Sequence, residues 1–69
     1  MKLYLLFGGD NYYPGGGAQD FESAHEDKDR AIRAGRQFLA GTRLKWAHVF
    51  DCDRELIVWA RESGNESQI

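Results

Sequence analysis

Leu44-Lys45-Trp46-Ala47-His48-Val49-Phe50-Asp51-Cys52-Asp53-Arg54-Glu55-Leu56-Ile57-Val58-Trp59-Ala60-Arg61 decides the fold. Its two ends, Leu44 to Phe50 and Glu55 to Arg61, are rich in β-branched and aromatic residues, the composition of strands. The centre, Asp51-Cys52-Asp53-Arg54, carries the aspartates that favour turns. The stretch therefore reads as a hairpin. Pairing Phe50 with Glu55 sets His48 against Ile57 and Trp46 against Trp59. One face then collects Ala47, Val49, Leu56, Val58 and Ala60, and the other Trp46, His48, Phe50, Ile57 and Trp59. The aliphatic face suits a helix. The aromatic face needs a cover, from Tyr12, Tyr13 and Phe21 of an upstream loop or from another chain, because monomers seldom leave large apolar patches bare.

The helix lies just upstream. Asp27 is a good N-cap and Asp29 a favourable first-turn charge. Ala31, Ile32, Gly35, Phe38 and Leu39 form an apolar stripe at helical spacing, and Gly41 suits the C-terminal cap. The pattern predicts a helix from Lys28 to Ala40, with Lys28, Arg30, Arg33 and Arg36 outward. Gly35 inside it costs roughly 1 kcal/mol against alanine, which close approach of helix to sheet explains.

Further upstream, Lys2-Leu3-Tyr4-Leu5-Leu6-Phe7 reads as a strand that stops at Gly8-Gly9. Leu3, Leu5 and Phe7 point one way, Tyr4 and Leu6 the other. Phe21 to Glu26 is a weaker second strand. Between them runs a long loop, Gly8 to Asp20, with Tyr12, Tyr13 and the chain's single proline. Loops of this length are uncommon in small domains and are usually functional or mobile. The expected architecture is α+β: a small antiparallel sheet of three or four strands with one helix packed on one face, in the order β-(β)-α-β-β. Residues 1–62 form a single domain and 63–69 a flexible polar tail.

Composition bounds the function. The chain has 69 residues and a net charge of -2. It lacks the basic excess of a nucleic-acid binder. The longest apolar run, Leu3 to Phe7, is too short to span a bilayer. The one cysteine, Cys52, rules out an internal disulfide and fits a reducing, cytoplasmic compartment. It lies between two aspartates, which disfavour a reactive thiolate. His25 and His48 have no metal-ligand spacing, and no metal or cofactor is expected. The glycine-rich loop has no Lys, Ser or Thr between Gly8 and Asp20 and matches neither phosphate-binding glycine pattern. It reads either as a structural turn whose tyrosines pack on the sheet or as a protein-contact loop. The carboxylates Asp20, Glu22, Glu26, Asp27 and Asp29 read as capping and a solvated edge, or as an acidic surface for a basic partner. No nucleophile, base and acid converge, so no enzyme is expected.

The loop's Tyr12-Tyr13-Pro14, Gly16-Gly17 and Asp20, followed by the helix and by Trp46, Val49, Phe50 and Asp51, resembles a family of small tailed-phage proteins. In these a Tyr-Tyr-Pro-x-Gly-Gly-x-x-Asp loop precedes a helix and a Trp-x-x-Ile-Val-Asp strand. The resemblance covers most of residues 3 to 60. It departs at Lys45 before Trp46, at His25 and in the turn, which lacks Thr-Gly. It implies a phage or prophage origin, where accessory proteins of this size often bind and inhibit a host protein.

The expectation is a non-enzymatic phage-type protein, cytoplasmic in a bacterial host, that binds and inhibits a host or defence protein. Self-association through the aromatic face is also expected. The alternative is a small-ligand binder that sequesters a signalling nucleotide, with Trp46, Trp59 and the tyrosines stacking the base and Arg33 or Arg36 meeting a phosphate. The candidate binding residues are Tyr12, Tyr13, Asp20, Arg33, Arg36, Trp46, His48 and Trp59.

Overall fold

The computed structural model describes residues 2–10, 17–42 and 44–69. The elements run β1 (Tyr4–Asp10), a single 3-10 turn (Gly17–Asp20), β2 (Phe21–His25), α1 (Lys28–Phe38), β3 (Lys45–Asp51), β4 (Leu56–Glu62) and β5 (Asn65–Gln68). They build one helix and a five-stranded sheet in the order β2-β1-β3-β4-β5. Every neighbouring pair is antiparallel. The α+β class is as expected, and the strand number is larger. Both β2 and β3 run against β1, so they are parallel to each other, and α1 joins them across β1. This connection puts the helix on one face of the sheet.

The helix forms where the sequence indicates. Asp27 has extended backbone angles, and its carboxylate accepts the Asp29 N–H at 3.0 Å. Its buried stripe is Ala31, Ile32 and Gly35. The last turn ends at Leu39, and Gly41 follows at φ +78°, a conformation suited to glycine. Beneath the helix lie Leu6 of β1, Ala47 and Val49 of β3, and Val58 and Trp59 of β4, all buried. Gly35 is where the layers meet most closely. A Cβ there would lie 2.6 Å from Trp59 Cζ3 and 3.2 Å from Leu6 Cδ1. The glycine lets the helix rest on the indole of Trp59.

Three expectations about strands need correction. First, β1 does not stop at Gly8-Gly9 but continues to Asp10. The glycines are places of close approach rather than breaks. A Cβ on Gly8 would meet the Phe38 ring at 2.7 Å, and one on Gly9 would meet Trp46 Nε1 at 3.3 Å. Second, the polar stretch expected as a tail forms β5, paired with β4 from Glu62↔Asn65 to Trp59↔Gln68. Ser63 (φ 52°) and Gly64 (φ 82°) both lie in the left-handed region, as a tight two-residue hairpin turn requires.

Third, the register of the β3–β4 hairpin differs. The turn falls one residue later than expected. The buried Asp51 carboxylate accepts the N–H groups of Asp53 (3.0 Å) and Arg54 (3.2 Å), and the Glu55 N–H closes the turn on Asp51 O at 2.8 Å. Phe50 therefore pairs with Ile57, not with Glu55. The pairing then shifts again, so that Val49 faces Trp59 and His48 faces Ala60. This bulge inserts one extra residue into β4, and every side chain beyond it changes face. Val58 and Trp59 are both buried as a result, at 0% and 1% exposure. Trp59 joins the core instead of the aromatic face, and Ala60 goes the other way.

Candidate interaction surface

The face of the sheet away from the helix is built by the alternate residues of the same strands. In the pairing, Phe21 of β2 lies opposite Phe7 of β1, which lies opposite His48 of β3. A second row runs Ala24, Leu5, Phe50, Ile57 across β2, β1, β3 and β4. The first row makes a continuous line of rings. Phe7 and Phe21 meet edge to face at 5.9 Å and 72°, Phe7 and His48 lie at 5.4 Å, and His48 and Trp46 at 5.2 Å. Such spacings are those of favourable aromatic pairs. Trp46 is paired across the strands with Gly9. A ring over a cross-strand glycine covers backbone that would otherwise be bare.

Much of this face is open among the described residues. Phe21 is 44% exposed and Ile57 45%, whereas the residues beneath the helix are nearly inaccessible. Phe7, Trp46, His48 and Phe50 are half-buried. Asp20, at the end of the 3-10 turn, stands at the edge of the row. A Cβ on Gly9 would lie 3.4 Å from Asp20 Oδ1 and 3.3 Å from Trp46 Nε1, so carboxylate and indole converge over the same glycine. Desolvation between its ring neighbours lowers the pKa of His48 below the ordinary 6.5, and the negative charge of Asp20 partly opposes that shift. His48 is therefore mainly neutral at pH 7.

Of the residues expected to form a binding site, Asp20, Trp46 and His48 do come together here. Tyr12 and Tyr13 lie outside the described residues. Trp59 is absent from the surface because the β4 bulge turns it into the core. Arg33 and Arg36 sit on the helix, on the opposite side of the sheet from Trp46. Arg33 is exposed. Arg36 is engaged with Glu66 of β5 through Nη2–Oε2 at 2.7 Å and Nε–Oε1 at 3.3 Å. The Arg36 hydrogen bond is the main cause holding the Glu66 carboxylate below its usual range, and the same pair raises Arg36. The Trp59 indole N–H also favours the ionised Glu66, though it is buried without a hydrogen-bond partner of normal length. Among the described residues of the nucleotide reading, Trp46 and Trp59 thus do not face a common space with Arg33 and Arg36. The two histidines do not share a site either. His25 Nε2 lies 2.7 Å from Ser23 Oγ, and the strand pairing sets both on the helix side of β2, whereas His48 is on the open side.

Phe7, Phe21, Phe50 and Ile57 complete the surface; none is among the candidate binding residues, although the sequence places Phe50 and Ile57 on this aromatic face and Phe21 among its covers. Their signal was present. Phe7 has the parity of Leu3 and Leu5, opposite to the core residue Leu6, Phe50 has the parity of His48, and Ile57 pairs with Phe50 before the bulge.

No helix among the described residues is long and apolar enough to cross a membrane. No curated protein and no solved structure matches the chain. A family model described as Bacteriophage T4 protein Y07C matches residues 4–61, from the start of β1 almost to the end of β4. That match includes the helix, the core and nearly all of the open aromatic face, and leaves β5 beyond it. The chain belongs to the bacteriophage T4 protein Y07C family and is a small phage-type protein.

Proposed function

We propose that this phage protein is a non-enzymatic binding protein that docks on a host or defence protein of the bacterial cytoplasm through the open face of its sheet and inhibits it. One observation carries the reading: the line Phe21, Phe7, His48, Trp46, with Phe50 and Ile57 beside it, faces away from the helix. Large aromatic groups presented on a firm scaffold are the usual anchors of protein interfaces. Exposed apolar patches of this kind mark interaction sites. The sheet holds these side chains in place before any partner arrives, which limits the ordering cost of docking. The spread of the potentially reactive groups supports a non-catalytic role. Cys52 lies in the β3–β4 turn, and His25 and His48 are on opposite faces. Catalysis needs such groups within hydrogen-bond reach of one reacting atom.

The test is capture from bacterial host lysate by the full chain and by its Ile57→Glu and Trp46→Ala variants. The proposal expects a host protein retained by the parent chain and released by both variants, whose folds remain intact. It fails if all three retain the same proteins. It also fails if the parent chain retains none while a nucleotide raises its melting temperature.

A further inference from the structure

The charges of the molecule are divided by the sheet. Each strand residue's side is fixed by its pairing. Lys45 and Arg61 have the parity of Ala47 and Val49, so they fall on the helix side, as do Arg33 and Arg36 of the helix itself. Lys45 Nζ lies 5.0 Å from the centre of the Phe38 ring there. Glu62 has the opposite parity. It is paired directly with Trp46 and is exposed on the open side. Asp20, buried at 8% exposure, reaches Trp46 from the β1 side over Gly9. Trp46 thus has the Asp20 carboxylate near its indole nitrogen and Glu62 as its cross-strand neighbour, and no strand cation among the described residues shares its face. His48 adds none at neutral pH.

Negative charge near a partly exposed indole is a setting for a cation. The ring quadrupole attracts ammonium or guanidinium, tryptophan most strongly, and the flanking negative charge adds to that attraction. We infer that the open face takes a positively charged protein surface, one that sets Arg or Lys against Trp46 beside the exposed Glu62, with the buried Asp20 adding its negative charge from the β1 side, and apolar side chains against Phe7, Phe50 and Ile57. This rests on the docking reading and states the chemistry of its partner. The use made of Asp20 is its charge, which acts on His48, and not any vacant acceptor.

The same charges weigh against the other occupants. Nucleic acid would bring phosphates to the two carboxylates. A second copy would bring the same carboxylates to the face, on a chain that also carries a net charge of -2.

The experiment is an NMR titration of the full chain with three probes: a synthetic peptide alternating Arg and Leu, one of equal length alternating Glu and Leu, and a short single-stranded DNA. The Arg-Leu peptide is expected to shift the Trp46 indole N–H and the resonances of His48 and Phe50, and to bind more weakly as salt rises. The Glu-Leu peptide and the DNA are expected to leave them unmoved. Glu62→Lys should weaken the Arg-Leu peptide about three- to tenfold, and Glu62→Gln by less. Equal binding of the two peptides overturns the inference, as do shifts confined to the helix or an affinity indifferent to Glu62→Lys. Shifts of the same face on concentrating the chain alone also overturn it, because they assign the face to a second copy. A host protein captured through the face that tolerates both high salt and Glu62→Lys overturns the basic partner while leaving the docking reading standing.

Discussion

The two faces of this sheet use the same strands to opposite ends. On the helix side, Leu6, Val49, Val58 and Trp59 are closed off almost completely. On the other side, Phe7, Trp46, His48 and Phe50 remain half-buried, and Phe21 and Ile57 are more exposed still. The difference comes from where α1 crosses. A single helix of 11 residues can cover only one face. The contrast separates the roles of the two tryptophans. Trp59 holds the layers together, and Trp46 is available for contact.

The sharpest way to break this contrast is to truncate each tryptophan in turn. Trp59→Ala removes the largest buried side chain. Such a change costs about 3–5 kcal/mol, comparable to the whole stability expected of a domain this small. The variant should be unfolded at 25 °C in a denaturant titration. Trp46→Ala loses ring contacts on a half-open surface and should cost roughly 1 kcal/mol. Equal losses at the two positions would erase the distinction between the faces.

Gly35→Ala comes next. Alanine favours a helix by about 1 kcal/mol over glycine, so a solvent-facing position would be stabilised. Here the new methyl would meet the rigid, buried Trp59 ring. Overpacking of this kind costs about 1–3 kcal/mol, and the net change should be destabilising. A stabilised variant would mean that the helix does not rest on Trp59.

Much of the helix-side face was legible in the sequence, and less of the open one. Asp27, the stripe from Ala31 to Leu39, and Gly35 each made a local statement that tertiary packing upheld. The bulge did not. Leu56-Ile57-Val58-Trp59-Ala60 is apolar at both parities, so no polar residue marks where alternation slips, and strict alternation puts Trp59 on the wrong face. Gly8 and Gly9 read as strand-breakers because their reason for being glycine, the rings of Phe38 and Trp46, lies far along the chain. The fifth strand had a readable signal in Ser63-Gly64, a suitable hairpin turn, but Asn65 to Gln68 has no apolar pattern to accompany it. What holds that strand is its ladder with β4 and the Arg36–Glu66 pair, and a contact between residues so distant in sequence leaves no local trace.

A smaller effect concerns His48. Burial lowers its pKa in the folded chain, so folding favours the neutral ring. The stability this contributes is present above the unfolded pKa, near 6.5, and is lost as pH falls from there through the lowered folded value. Melting temperatures should drop between pH 7 and pH 5 more for the parent chain than for His48→Gln. Parallel curves for the two would place His48 in water rather than between rings.

The smallest effect is expected at Glu66→Gln. An exposed ion pair contributes little to global stability. The Glu66 carboxylate is nevertheless held below its usual range, so its contribution is present above the ordinary carboxylate pKa and fades as pH falls through the lowered one. Glu66→Gln should leave the global melt nearly unchanged while speeding hydrogen exchange at the Ile69 N–H, which bonds Val58 O at 2.9 Å. Exchange unchanged from the parent would show that β5 is held by its ladder alone.

The central claim is that the open face is for contact and the covered face for stability. Ile57→Glu tests it most directly, because Ile57 is exposed and pairs with Phe50 at the middle of the open face. Thermal unfolding and capture from host lysate should be measured on the same preparation of the parent and the variant. The expected result is a melting temperature close to the parent's together with loss of the retained partner. A variant that melts like the parent and still retains that partner, or one that fails to fold, would contradict the account.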